Sequence, residues 1–306
     1  MTTPQFIALP HLAILDVTGE DAQNFLHAQV PSDIRTLNAE RAQISGWCTA
    51  KGRLLSTFVI WPIENGYRLV LAADVRDTIA KRLKMYVMRL KVQVTPSTDV
   101  VYGLLNPAPA LNNHALPAND WQVSRIDNVT VVRLDSTRDL LTGTESELQQ
   151  LAGSGDTTNP ALWVLSDIAQ GFPLVTQATS EHYVPQMVNL DKLGGVSFKK
   201  GCYPGQEIVA RTHYLGKIKR HLYRVSSAQP LVPGAEVRSS LLNGQACGSL
   251  LTTAQDAQGQ WQALAVLQQD AIEGSIYLQS ETGEQTLQLI DRVLPDETEV
   301  QQPQSS

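Results

Sequence analysis

A cysteine set among cations and glycines is the feature of this chain best suited to chemistry. The stretch Phe198-Lys199-Lys200-Gly201-Cys202-Tyr203-Pro204-Gly205-Gln206-Glu207 puts two lysines ahead of a glycine, then a thiol, an aromatic ring and Pro-Gly. From there to Arg211 the pattern turns helical. Pro204 carries the fixed φ suited to a first helical position, and Glu207 in the first turn suits a helix N-terminus. The spacing predicts Cys202 immediately before that terminus, beside Lys199 and Lys200. Such surroundings lower a thiol pKa and favour the nucleophilic thiolate. Inert burial on a tight turn is the commoner fate of a free cysteine, but that role needs neither two adjacent lysines nor two glycines.

Charge around the thiol is uneven. Seven basic residues fall between Lys199 and Arg224 (Lys199, Lys200, Arg211, Lys217, Lys219, Arg220, Arg224) against one acid, Glu207. The whole chain of 306 residues holds 24 basic and 30 acidic side chains, so 17 and 29 remain elsewhere. A local positive field on an acidic protein points to an anionic ligand, with a solvated lysine-bearing strand edge as the plain alternative. Three widely spaced cysteines, Cys48, Cys202 and Cys247, imply free thiols in a reducing cytoplasm. They fall short of the four thiolates of an ordinary iron–sulfur site. No apolar run approaches the ~18 residues of a bilayer span. The N-terminus lacks the basic-then-apolar pattern of a signal peptide.

Several elements must position these residues. A strand is expected over 12–17, then a helix opened by Thr18-Gly19-Glu20-Asp21 that turns Ala22, Phe25 and Leu26 inward. Three strands follow between Ala42 and Ala73, with turns at Ala50-Lys51-Gly52-Arg53 and Glu64-Asn65-Gly66. An amphipathic helix spans 74–90, with strands at 91–94 and 100–105. The Pro/Asn-rich stretch 106–120 reads as a surface connection. A hairpin turns at Asp127-Asn128, Thr144-x-x-Glu147 caps a short helix, and 153–158 is a flexible loop. Asn159, Pro160 and Gly171 bracket a helix carrying Trp163. From Lys217 to Asp291, turns at Pro233-Gly234, Asn243-Gly244, Gln258-Gly259, Glu273-Gly274 and Thr282-Gly283 imply a small antiparallel barrel or sandwich. The polar tail 295–306 has the composition of a disordered segment.

Lys-Gly-Cys-Tyr-x-Gly-Gln-Glu at 200–207, continued by Val-Ala-Arg at 209–211, resembles the signature of the YgfZ family of folate-binding proteins. Val17-Thr18-Gly19-x-Asp21-Ala22, Trp47-Cys48-x-x-Lys51-Gly52-Arg53, Gly171-Phe172-Pro173, Pro185-Gln186 and Asn189-Leu190 follow in the family's order, so the resemblance covers 12–294. It implies an α+β fold like that of the glycine cleavage T-protein, a ring of α/β modules with a C-terminal antiparallel β-barrel around a folate funnel. The implied units are an N-terminal α/β module over 1–105, a second over 106–215 carrying the thiol turn and possible interleaving with the first, a barrel over 216–294, and the tail.

The resemblance further implies a cytoplasmic, tetrahydrofolate-binding accessory protein that supports iron–sulfur enzymes and tRNA modification, methylthiolation included, with Cys202 as the reactive centre. Folate offers a flat pterin, an aryl ring and a carboxylate tail, and so calls for apolar faces, a few amide-type hydrogen bonds and cations at the mouth. Trp163 matches a family tryptophan near the folate; a second aromatic position falls at Leu12. Lys51, Arg53, Lys199, Lys200 and Arg211 are the cations for the tail, with Tyr203 and Gln206 beside them; helix capping is the competing role for Gln206. Cys48 and Cys247 read as packing residues. Two departures matter. The carboxylate on which T-protein aminomethyl transfer depends falls at Ser56, which speaks against that activity. The family's Glu-Ala-Gly near the pterin reads Ala169-Gln170-Gly171, leaving Asp167 or Gln170 as substitutes. A folate-dependent one-carbon transferase or demethylase is the first alternative. A tRNA-binding module using the 199–224 patch, without interleaved aromatics apart from Tyr203, Tyr214 and Tyr223, is the second.

Overall fold

The computed structural model describes residues 4–112, 114–153, 159–216, 218–280 and 283–294. Lys217, most of the 153–158 loop, Thr282 and the tail 295–306, all singled out above, lie outside the described residues.

Two antiparallel sheets are built from strands whose alternate side chains serve different cores. One has the order Gln43–Cys48, Leu54–Ile63, Gly66–Ala72, Leu12–Thr18, Gln93–Pro96. On Gly66–Ala72, Tyr67, Leu69 and Leu71 face helices α1 (Ala22–Gln29) and α2 (Ala73–Val87), while Val70 joins Ile14, Val59 and Trp61 on the other face. That second face packs on Val101, Val132 and Leu140 of the other sheet, whose order is Gln5–Ala8, Val100–Leu105, Arg138–Gly143, Val129–Asp135, Val123–Ile126. Gln5–Ala8, near the start of the chain, thus pairs with Val100–Leu105 in a sheet completed by strands beyond residue 120. Helix α3 (Glu145–Ala152) covers the outer face of this sheet through Leu148.

The strands Gln5–Ala8 and Arg138–Gly143 are not visible in the hydropathy pattern. Arg138 and Asp139 are charged at buried strand positions, so the alternation fails where the structure buries ion pairs. The Thr144–Glu147 capping box forms as the spacing predicts. The one expected at 18–21 does not, because the Asp21 carboxylate accepts from Lys91 N at 2.8 Å instead. Helix α4 (Ala161–Gln170) begins with Asn159 Oδ1 accepting from Ala161 N at 3.0 Å and ends at Gly171, φ +68°. Residues 220–292 close into an antiparallel barrel, and α5 (Gln206–Tyr214) precedes it. Asn189 Nδ2 ties the barrel's end to the middle of the chain by donating to Val293 O at 2.8 Å.

Candidate functional site

Two glycine turns, one against the other, form the base on which Cys202 stands. The turn between Gln43–Cys48 and Leu54–Ile63 has Gly52 at φ +69°, closed by Gly52 N donating to Thr49 O at 2.9 Å. Gly205, φ +82°, lies on it: a Cβ there would stand 2.5 Å from Thr49 O and 2.6 Å from Gly52 Cα. Only glycine permits that left-handed geometry and that approach together. The two motifs, 47–53 and 200–207, are therefore one structural unit. Gly205 is the N-cap of α5, so Gln206 opens the helix and Pro204 lies in the preceding turn. This corrects the expected start. A helical Gly205 could not reach Gly52, and Cys202 consequently stands a short loop away from the helix rather than immediately before it.

Cys202 is exposed, whereas Cys48 and Cys247 are buried. Burial pushes the Cys48 thiol up to about 12 and the Cys247 thiol up to about 11, so those two stay protonated and inert. Lys200 does not face a ligand. Its stem is buried, and its ammonium donates to His27 O and, at 2.5 Å, to Val30 O at the C-terminal end of α1. There a cation meets unsatisfied carbonyls and the negative end of the helix. Burial lowers the Lys200 pKa to about 8. The ammonium also stands 5.2 Å from the centroid of the buried Tyr203 ring, whose phenol pKa is raised by burial and by Cys48. Arg53 is held by its Nη1 donating to His182 O at 2.6 Å, and Gln206 Nε2 donates to Lys200 O at 3.4 Å. Lys51, Lys199 and Arg211 are exposed. Arg224, counted in the basic run, is committed to Asp291 at 2.7 Å and to Ala169 O at 3.0 Å.

Trp163 and Leu12 lie elsewhere. Both line an apolar cavity with Phe172 and Asp167, and none of the thiol-side residues shares it. Its free volume is about 20 Å³, room for roughly one water. Gly103 leaves space for the indole, since a Cβ there would fall 2.2 Å from Trp163 Cε3. The Arg138 guanidinium lies 5.8 Å from the Trp163 ring centroid and 5.3 Å from that of Phe172. Arg138 pairs with Asp167 through Nη1 and donates from Nε to Asp135 at 2.7 Å. Burial raises the Asp167 carboxyl to about 7 against the pull of that guanidinium. Asp167 is thus the carboxylate beside Trp163, whereas Gln170 is exposed. Ser56 is fully buried, its hydroxyl donating to Thr57 O at 3.1 Å.

Where the helix-covered sheet, α4 and the barrel meet, a second apolar cavity of about 280 Å³ opens, lined by His11, Asp74, Val164, Leu174, Pro233 and Thr252 among others. Leu174 is the wall it shares with the Trp163 cavity. Two polar atoms there, His11 Nε2 and Thr252 Oγ1, are buried without a hydrogen-bond partner among the described residues. Burial lowers the His11 pKa, so the imidazole is neutral at pH 7. Buried polar atoms are nearly always paired, and an unpaired one costs about 1–3 kcal/mol. Sequence reasoning missed both residues. Thr252 follows a register shift between Leu250 and Thr252 that breaks strand alternation, and His11 is a lone histidine beside a proline. For a pteridine, the chemistry of the lining fits: apolar walls, with an imidazole, a hydroxyl and the Asp74 carboxylate for a polar edge.

No protein-family model matches the chain. Among solved structures, the glycine cleavage system aminomethyltransferase T from Bartonella henselae has a TM-score of 0.69 over 94% of this chain and 84% of that one, at 13% identity. The molecule therefore has the aminomethyltransferase T fold. Among curated proteins, the tRNA-modifying protein YgfZ of Cronobacter sakazakii is 31% identical over 92% of this chain and 91% of its own length. The protein of that name from Vibrio vulnificus is 32% identical over 86% and 83%. The chain belongs to the YgfZ family. No helix among the described residues is long and apolar enough to cross a membrane.

Proposed function

We propose that this protein is a tetrahydrofolate-binding accessory factor for tRNA modification, serving iron–sulfur enzymes of the methylthiolating kind, with Cys202 as its reactive group. The observation that carries the folate part is the pair of unpartnered buried atoms, His11 Nε2 and Thr252 Oγ1, in an apolar cavity at the junction of three modules. Such atoms are left unpaired at a cost in stability that a bound polar edge relieves. The pterin and aryl ring match the apolar walls. Trp163 serves this reading through its cavity, which shares its Leu174 wall with the larger one. The thiol works outward in this reading, because Cys202 is exposed and lines neither cavity. Lys51, Lys199 and Arg211, all exposed on the two glycine-turn motifs and the helix that follows, are the cations available to an anionic partner.

The test uses effects of opposite sign. Thr252→Val removes an unpaired hydroxyl at nearly constant volume. The unliganded variant should gain about 1 kcal/mol in urea unfolding, while tetrahydrofolate titrated calorimetrically should bind roughly tenfold more weakly, one lost hydrogen bond's worth. Equal folate affinity in wild type and variant, or no saturable binding to either, would remove folate from this site. Methylthiolated tRNA nucleosides measured in a deletion strain test the thiol: Cys202→Ala should fail to restore them, and restoration to the wild-type level would exclude a reactive role.

A further inference from the structure

Helix α5 ends in a cluster of rings, of which Phe198 also packs on the core beneath while His213 and Tyr214 are exposed. Phe198, from the thiol motif, stacks on His213 with centroids 3.7 Å apart and planes at 13°. Tyr214 stands edge-on to both, at 6.1 Å and 4.7 Å. Phe198 is half-buried and backs the imidazole, while His213 and Tyr214 are exposed, Tyr214 to 66% and the adjoining Leu215 to 85%. Lys199 adjoins Phe198 in the chain, Arg211 lies three residues before Tyr214 on α5 and Lys219 follows the helix; all three are exposed, and none is in an ion pair among the described residues. The acids nearby are Glu207, one turn before Arg211, and Asp191, whose carboxyl lies within electrostatic reach of the His213 ring.

We infer that this cluster is a stacking platform for an unpaired nucleobase of RNA, the cations holding the flanking phosphates. The inference rests on the tRNA part of the proposed function and locates where the RNA lies. Planar rings with one open face beside unpaired cations are the ordinary means of holding single strands. Charge complementarity favours a polyanion, since Lys199, Arg211 and Lys219 are exposed here with Glu207 as the one acid of the 199–224 segment, while the rest of the chain is acidic. The platform begins where α5 ends, and that helix, ~12 Å long by its rise per residue, separates it from the loop bearing Cys202. A base held there leaves the thiol loop within reach of the neighbouring nucleotides.

Fluorescence anisotropy with a labelled adenine-rich RNA single strand, and with the same sequence as a duplex, at low salt tests this on the full chain. Wild type should bind the single strand more tightly than the duplex. Tyr214→Ala should weaken that binding about tenfold or more, Tyr214→Trp should retain it, and Arg211→Ala should lower the log–log salt slope by about one. Tyr214 is exposed enough that the fold tolerates each change. No single-strand binding by wild type, or equal binding by Tyr214→Ala, overturns the inference. So does a Tyr214→Ala defect in cellular tRNA modification without RNA affinity in wild type, because the face then serves a protein. Tetrahydrofolate titration of the same Tyr214→Ala preparation separates the two readings. Lost RNA with retained folate binding is the expected result, whereas intact RNA stacking with no folate binding in wild type defeats only the folate reading.

Discussion

Lys200 shows how the same residue type carries different work within one motif. Lys199 is exposed, while its neighbour runs inward to the end of α1 and fills two orphan carbonyl positions. Lys200→Met keeps the apolar stem but leaves His27 O and Val30 O without their donor. It should lower stability by about 1.5–3 kcal/mol, the range for hydrogen bonds to a charged group, read as a shift of the urea midpoint. An unchanged midpoint would mean that the ammonium's desolvation cancels its bonds. Cys202 and its glycines were legible from residue types alone. The inward turn of Lys200 was not, because the two carbonyls it meets lie some 170 positions earlier in the chain.

At the scale of elements, the thiol loop is held by the backbone contact at Gly205 together with the Lys200 and Gln206 side chains. Gly205→Ala meets both a left-handed φ of +82° and a Cβ 2.5–2.7 Å from Thr49 O, Gly52 Cα and Gly52 N. The strain alone costs of order 1–3 kcal/mol, and the clash must also push the two turns apart. Thermal unfolding should therefore show a loss of at least about 2 kcal/mol, with the Cys202 loop opened to faster amide exchange. Gly201→Ala, where a Cβ meets nothing within 4 Å, is the control and should be nearly neutral. Helices α3 and α4 followed from Thr144, Asn159, Pro160 and Gly171, since caps are local chemistry. Pro204 misled because its φ suits a turn as well as a first helical position, and the choice was made by Gly52.

For the molecule as a whole, the buried carboxylates set a pH dependence. Asp167 on α4 is joined to Arg138 of a strand, and burial raises it to about 7; Asp139, paired with Arg133, is raised to about 6. Between about pH 4 and these values the folded chain holds more protons than the unfolded one. Their contribution to stability is thus complete at acid pH and is lost as pH rises through 6 to 7, by up to ~1.4 kcal/mol per pH unit for each proton. Urea unfolding between pH 5 and 7.5 should show this fall, and Asp167→Asn should flatten it. A wild-type midpoint that rises over that interval, or the same slope in the variant, would falsify the assignment.

By itself the sequence determined an antiparallel barrel or sandwich at the C-terminal end, through its glycine turns, the caps of α3 and α4, the thiol turn of the 199–211 stretch and, by resemblance, the family. These are consequences of local backbone preference and of motif spacing, which a chain carries without its fold. Tertiary structure alone decided that Trp163 and Cys202 line no common cavity, that Arg138 and Asp139 belong inside a sheet, and that His11 and Thr252 line one cavity with polar atoms unpaired among the described residues. Burial is a property of what lies across the gap, and for each of these residues the element across the gap comes from a distant part of the chain.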